Sequence, residues 1–248
     1  MSATTRILVM ACGTGPCPTL ARVLAREPGN QVALIADSDT PAKAEPLKAE
    51  RLTVIRGVFD SRASVEAAAT KAVAALGSVD HVVMSAVPTI AVQPAAIDSM
   101  PYETWSASSH AAVKAVLYGL QASFAHLPSG GAITLLGPTV SLIGAAELVP
   151  LCAAVEAQRS LLKSAARQWG ARGIRLNWIA VNSASFAPEL ADHPLPQVPE
   201  LGPPPPALNR RIDIEADVAP VVAFVGGDNA RGMTGATLNL DGGDWMVP

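Results

Sequence analysis

Charged side chains are scarce. Asp, Glu, Lys and Arg make up 16% of the 248 residues, against roughly 25% in ordinary soluble domains. The 18 basic and 21 acidic residues leave a net charge of −3. No basic cluster stands out, which argues against a nucleic-acid or anionic-membrane surface. Cysteine is nearly absent: Cys12, Cys17 and Cys152 offer neither a disulfide framework nor the paired spacing of a zinc site. No metal site is expected. Tyrosine occurs only at Tyr102 and Tyr118. Long apolar runs are also missing. The start, Met1 to Arg6, leads into only six apolar residues, Ile7–Cys12, before Gly13 interrupts, too short for a signal peptide or a membrane span. The expectation is a soluble, cytoplasmic chain.

Half of the residues are hydrophobic, and mean hydropathy is +0.31. A chain of this size buries roughly 70–75% of its unfolded surface, so disorder is not the dominant state. Short apolar runs recur at Ile7–Met10, Gln31–Ala36, Thr53–Val58, His81–Ala86, Ala132–Leu136, Ile174–Val181 and Ala236–Leu240. Their near-continuous hydrophobicity predicts buried parallel strands. Helical stretches lie between them: Thr19–Arg26, Ala63–Leu76, Tyr102–Leu127, Val149–Ala171 and Ile214–Gly226. This alternation predicts an α/β fold, a doubly wound Rossmann-like parallel sheet of about seven strands with helices on both faces. No linker divides the chain, so residues 1–248 read as a single domain. The segment 183–211 holds eight of the 21 prolines. It reads as an extended surface excursion, partly polyproline II. A tolerated loop and a lid or partner-binding arm are equally open readings there.

Several stretches carry a resemblance. Gly173-Ile174-Arg175-Leu176-Asn177 resembles the GIRVN strand of the short-chain dehydrogenase/reductase family. Thr234 through Gly243 resembles its TGxxLxVDGG ending, and Arg211, Asp217-Val218-Ala219 and Phe224 fit the segment before it. Asp60, after the third strand, fits the family's adenine-contacting aspartate. The resemblance spans nearly the whole chain and implies the Rossmann-like domain.

The family's functional motifs are altered. Its first turn, TGxxxGxG, lets the backbone approach a pyrophosphate at a helix N-terminus. The matching positions here are Ala11, Gly15 and Cys17, with Pro16 and Pro18 each lacking an N–H. Asp37, ending the second strand, suits a ribose diol, but an acidic residue after a strand is common. The family's NNAG is replaced by Met84-Ser85-Ala86-Val87. In the family, a serine holds the carbonyl oxygen, a tyrosine delivers the proton, a lysine lowers the tyrosine's pKa and an asparagine anchors a water chain. Their positions fall on Pro138, Leu151, Val155 and Ala112. None can exchange a side-chain proton. Cys152, Glu156 and Arg159 lie nearby, but 152 and 156 are about 100° around the helix from the 151/155 face. Cys152 reads as a small buried apolar residue rather than a nucleophile.

The resemblance thus implies a pseudoenzyme: no catalytic residues, no nicotinamide cofactor bound by this chain (Ala11, Gly15, Cys17, Asp37 and Asp60 being vestigial), and NAD held by a partner subunit. The expected partner is a homologous, catalytic short-chain dehydrogenase. It would form a heterotetramer through the helices 102–127 and 149–171. The pattern is similar to paired dehydrogenases of anaerobic toluene (benzylsuccinate) degradation. There one short-chain subunit is non-catalytic, and the complex oxidises a 2-[hydroxy(phenyl)methyl]succinyl-CoA with NAD. The alternatives are an enzyme of different chemistry on this scaffold, a lyase or isomerase, and a ligand sensor.

Overall fold

The computed structural model describes residues 4–38, 40, 50–191 and 207–246. In chain order the strands and helices are β1 (Thr5–Gly13), α1 (Cys17–Arg26), β2 (Asn30–Ala36), β3 (Leu52–Arg56), α2 (Arg62–Leu76), β4 (His81–Val87), α3 (Tyr102–Trp105), α4 (Ala111–His126), β5 (Ala132–Pro138), α5 (Val140–Ile143), α6 (Val149–Trp169), β6 (Arg175–Val181), α7 (Ser183–Phe186), α8 (Ala219–Gly226) and β7 (Thr237–Leu240). The strands form one seven-stranded parallel sheet in the order β3-β2-β1-β4-β5-β6-β7. The Rossmann-like α/β architecture expected from the alternation of runs is therefore present.

Burial explains the strand sequences. Every residue of β4 and β5 is buried, as strands with helices on both faces must be. β1, β2 and β6 are buried after their first one or two residues, whereas the edge strands differ throughout: β3 is half-buried to exposed and β7 half-buried. The helices turn small residues inward. In α2, Val65, Ala68, Ala69, Ala72 and Leu76 are buried at helical spacing. That helix starts where Ser61 caps the Ser64 amide (3.3 Å) and stops at Gly77.

Two expected elements differ. The stretch 102–127 is helical from Tyr102 to His126, as expected, but not regular: α3 passes through a π-helical turn at Ser106–His110 into α4 without a break. The Ser108 hydroxyl bonds back to the carbonyls of Thr104 (2.6 Å) and Trp105 (3.2 Å), which disturbs the regular ladder. The proline-rich excursion does not begin extended. Asn182 accepts from the Ser185 amide (3.1 Å) and nucleates the turn α7, followed by a 3-10 turn at Pro188–Leu190. Residues 192–206, including the run Pro203–Pro206, lie outside the described residues.

The chain reverses its winding direction between β1 and β4. Ligands in open α/β sheets bind at the carboxyl ends of strands beside such a reversal. The carboxyl ends of β1, β2, β4, β5 and β6 therefore frame the candidate site.

Candidate functional site

The turn after β1 is built on two glycines. Gly13 has φ +73°, and a Cβ there would lie 2.1 Å from the Val87 carbonyl oxygen. That carbonyl also accepts the Thr14 amide at 2.8 Å, tying the turn to the end of β4. Gly15 has φ +145°, and a Cβ there would meet Ser85 Oγ at 3.0 Å and the Phe186 ring at 3.1 Å. Neither position tolerates a side chain.

Ala11 and Cys17 turn their side chains into the core, at 1% and 0% exposure. Burial pushes the Cys17 thiol up to about 12, partly offset by a hydrogen bond with Ser85. The thiol is thus an inert packing group. The helix α1 has Pro16 at its N-cap and neither a capping side chain nor an acid in its first turn.

Asp37 is half-buried at the end of β2. Its Oδ1 accepts from the Thr40 hydroxyl (2.6 Å), the Thr40 amide (2.7 Å) and the Gly13 amide (3.2 Å). Oδ2 also takes the Gly13 amide, at 3.0 Å, and among the described residues no other donor is seen on it, so it retains accepting capacity. Arg56, ending β3, is exposed and donates to the Asp37 backbone carbonyl at 3.1 Å. Asp60 is exposed beyond β3. These groups fit the adenosine half of a nicotinamide dinucleotide: a carboxylate, a guanidinium beside it, and a turn whose non-glycine side chains point inward. Pro16 and Pro18 still withhold two amides from the pyrophosphate stretch.

Pro138 ends β5, Leu151 and Val155 fall in the first two turns of α6 and Ala112 in the first turn of α4; each is buried, with Leu151, Val155 and Ala112 at 1% exposure or less. Polar groups follow on the neighbouring segments. The Ser141 hydroxyl donates to Glu156 Oε1 at 3.0 Å. Arg159 Nε donates to Glu156 Oε2 at 2.9 Å, with a second, shorter contact from Nη2. The Ser183 hydroxyl accepts from the Val140 amide (2.8 Å) and lies 3.2 Å from the Thr139 hydroxyl, joining the ends of β5 and β6. Cys152, expected to be buried, is half-buried, and its Sγ donates to the Val140 carbonyl at 3.7 Å. Its pKa is raised, by burial first and by the nearby Glu156 charge as well, so it is not an activated nucleophile. Among the described residues no cluster could hold a metal ion, and no helix is long and apolar enough to cross a membrane.

Sequence reasoning missed two arrangements. One is the Ser141–Glu156–Arg159 group: Glu156 faces away from the 151/155 stripe, and on that flank the α5 segment brings Ser141 to it. The other is Gln158, fully buried, whose amide donates to the carbonyls of Ala86 (2.8 Å) and Ala112 (3.2 Å). The signal was available, because 158 falls on the same helical face as 151, 155 and 162.

Known proteins resemble the chain over nearly its whole length. A family profile described as Enoyl-(Acyl carrier protein) reductase matches residues 18–244. The 3-oxoacyl-[acyl-carrier-protein] reductase FabG of Staphylococcus aureus is 27% identical over 259 aligned positions, covering 99% of this chain and 100% of that protein. The 2,5-dichloro-2,5-cyclohexadiene-1,4-diol dehydrogenase LinX of Sphingobium indicum is 26% identical over 63% of the chain and 62% of its own length. A short-chain dehydrogenase of Burkholderia cenocepacia, solved in complex with NADP, superposes with a TM-score of 0.79 at 25% identity over 98% of both chains. A short-chain dehydrogenase/reductase of Serratia marcescens superposes equally well, with a TM-score of 0.79 at 23% identity over 98% of both chains.

Two expectations are corrected by these findings. The chain was expected not to be an enzyme by itself, yet the relatives are named as a reductase and a dehydrogenase. Position-by-position comparison registered the missing tyrosine and lysine but not the polar groups that other segments bring to the same edge. The chain was also expected to bind no nicotinamide cofactor and to leave NAD to a partner, whereas the Burkholderia neighbour was solved with NADP. Here the physical reason is the inward turn of Ala11 and Cys17, which keeps their side chains off the outer face of the turn. Fold, family profile and full-length relatives agree: the chain belongs to the short-chain dehydrogenase/reductase family.

Proposed function

We propose that this chain is a nicotinamide-nucleotide-dependent oxidoreductase that interconverts an alcohol and a carbonyl compound, with the Ser141–Glu156 pair moving the proton. The observation that carries the reading is the 3.0 Å hydrogen bond from Ser141 to Glu156 beside the Pro138/Leu151 edge, in a chain whose relatives are named as a reductase and a dehydrogenase. Asp37 Oδ2 and Arg56 would hold the adenosine ribose, and the Gly13–Cys17 turn would follow the pyrophosphate. When bound, the nucleotide supplies or accepts the hydride. The chain's own groups handle the proton. Ser141 passes its hydroxyl proton between the substrate oxygen and the Glu156 carboxylate. Arg159, bonded to the other carboxylate oxygen, orients Glu156 and offsets its charge.

The enzyme works, in this proposal, in an assembly with a homologous chain through 102–127 and 149–171. In support, Phe124 and Trp169 on α4 and α6 stack at 4.7 Å between ring centroids while only half-buried. The Arg172 guanidinium lies 4.3 Å from the centroid of Phe124. Half-buried aromatic and arginine clusters of this kind are favoured anchors of protein interfaces.

The test is calorimetric titration of the purified chain with NAD(H) and NADP(H). Turnover is then measured with a 3-oxoacyl thioester and with 2-[hydroxy(phenyl)methyl]succinyl-CoA, for wild type and Glu156→Gln. Binding in the micromolar range is expected, with kcat lowered on the order of 10²-fold by the substitution. Equal turnover by both chains overturns the proton assignment. Absence of nucleotide binding and of turnover overturns the whole reading.

A further inference from the structure

The carboxyl end of the sheet is split. β1 stays paired with β4 as far as Gly13–Val87, and β5 with β6 as far as Pro138–Val181. The pairing between β4 and β5 stops earlier, at Met84–Leu135. The groups assigned to nucleotide and proton fall on opposite sides of this split. On one side the Val87 carbonyl takes the Thr14 amide at 2.8 Å, and the Gly13 amide donates to Asp37, so the turn after β1 rides on the end of β4. On the other side β5 leads into α5, which carries Ser141 to Glu156 on α6.

Gln158 reaches across. It is fully buried on α6, in the turn that also holds Glu156. Its Nε2 donates to the Ala86 carbonyl (2.8 Å), beyond the last β4–β5 pair, and to the Ala112 carbonyl of α4 (3.2 Å). The two carbonyls fix this end of the side chain as the amide nitrogen. The other end, Oε1, is buried without a partner. Leu151, Val155 and Leu162, on the same helical face, are buried and apolar. Packing alone favours an apolar residue at 158 too, since an unpaired buried oxygen is unfavourable. What the carboxamide adds is a fixed separation between the end of β4 and α6.

We propose that Gln158 is a positioning residue: by pinning Ala86 to α6 it sets the nucleotide turn against the Ser141–Glu156 pair. This role rests on the nucleotide-dependent reading of the preceding subsection. The two sides of the split act on one substrate, and a displacement of about 1 Å costs up to about 10²-fold in rate. Gln158 acts through Ala86 and Val87 on the turn and touches no reacting atom. Its loss therefore lowers kcat more than it weakens nucleotide binding.

The test compares wild type with Gln158→Met, which keeps the side-chain length and removes the donor, and with Gln158→Glu. Calorimetric titration gives Kd for NADH and NADPH, and turnover at saturating nucleotide gives kcat. Gln158→Met lowers kcat about tenfold or more while Kd stays within about threefold. In the nucleotide-free chain, hydrogen exchange of the Thr14 amide speeds up in this variant relative to that of Leu8 in the middle of β1. In Gln158→Glu the introduced carboxyl is held neutral at low pH by desolvation and donates one hydrogen bond to the Ala86 carbonyl. Its kcat, as a fraction of wild type at the same pH, is highest in acid and falls as that carboxyl ionises. Glu156 and Arg159, its charged neighbours along α6, are common to both chains and cancel in the ratio. If Gln158→Met does not fold, this pH course carries the test. If nucleotide binds without turnover, the Thr14 exchange decides. Unchanged kcat in Gln158→Met, kcat and Kd impaired in equal proportion, a ratio for Gln158→Glu that is flat with pH, or unchanged Thr14 exchange overturns the positioning role and leaves the nucleotide reading standing. No nucleotide binding and no turnover by the wild type overturns both.

Discussion

Acid should destabilise this protein through one histidine in the core. His81 opens β4 and is 3% exposed. Its Nε2 lies 2.8 Å from the Thr134 hydroxyl. The other side of the ring packs on α8 so closely that a Cβ at Gly226 would fall 2.2 Å from Nδ1. Burial first, and the Arg175 guanidinium second, lower the His81 pKa to about 3 from 6.5. In the unfolded chain the imidazole titrates near 6.5. Between these values the unfolded state binds the extra proton. The stability held above pH 6.5 is therefore lost progressively as pH falls toward 3. At 1.36 kcal/mol per pH unit, the loss attributable to His81 between pH 7 and pH 5 is about 2 kcal/mol. Urea unfolding at both pH values, on wild type and on His81→Gln, isolates this contribution because every other group is common to the two chains. The wild type should lose about 2 kcal/mol more than the variant over that interval. Parallel pH dependences in the two chains would refute the assignment of a buried, neutral imidazole.

Further expectations follow from the buried polar and sulfur groups. Gln158→Leu removes the only side-chain donor seen for the Ala86 and Ala112 carbonyls among the described residues. It should cost about 1–3 kcal/mol in urea unfolding, tempered by the loss of an Oε1 that is itself buried without a partner. Cys17, fully buried and with a raised thiol pKa, should react with an aromatic disulfide reagent at pH 8 only at the rate of unfolding. A fast native-state reaction at Cys17, mapped by mass spectrometry, would contradict the packing described.

The sheet was legible in the sequence because its signal is local. Buried parallel strands require continuous apolar runs, and Ile7–Met10, His81–Ala86 and Ala132–Leu136 each fall inside an observed strand. The family resemblance added the register that aligns Pro138, Leu151, Val155 and Ala112 with the family's functional positions; all four are buried. The ends of the stretch 102–127 were also close to correct. Its helical interior was legible too, but not the π-helical turn, which goes with where the Ser108 hydroxyl points, and periodicity does not encode that.

The character of the site was decided by tertiary structure. A motif comparison sees Cys17 as an intruder at a phosphate turn, but the direction of its side chain is set by packing against Ser85. It sees Glu156 as off the functional face, but α5 carries Ser141 to that flank. Phe186 meets Gly15 only because β6 runs to the same edge of the sheet as β1. Sequence patterns fix hydrophobic periodicity along one element, since that depends on neighbours three or four positions away in a helix and two in a strand. Hydrogen-bond partners and covering side chains come from segments brought together by chain reversal, and only the folded chain specifies which of them meet.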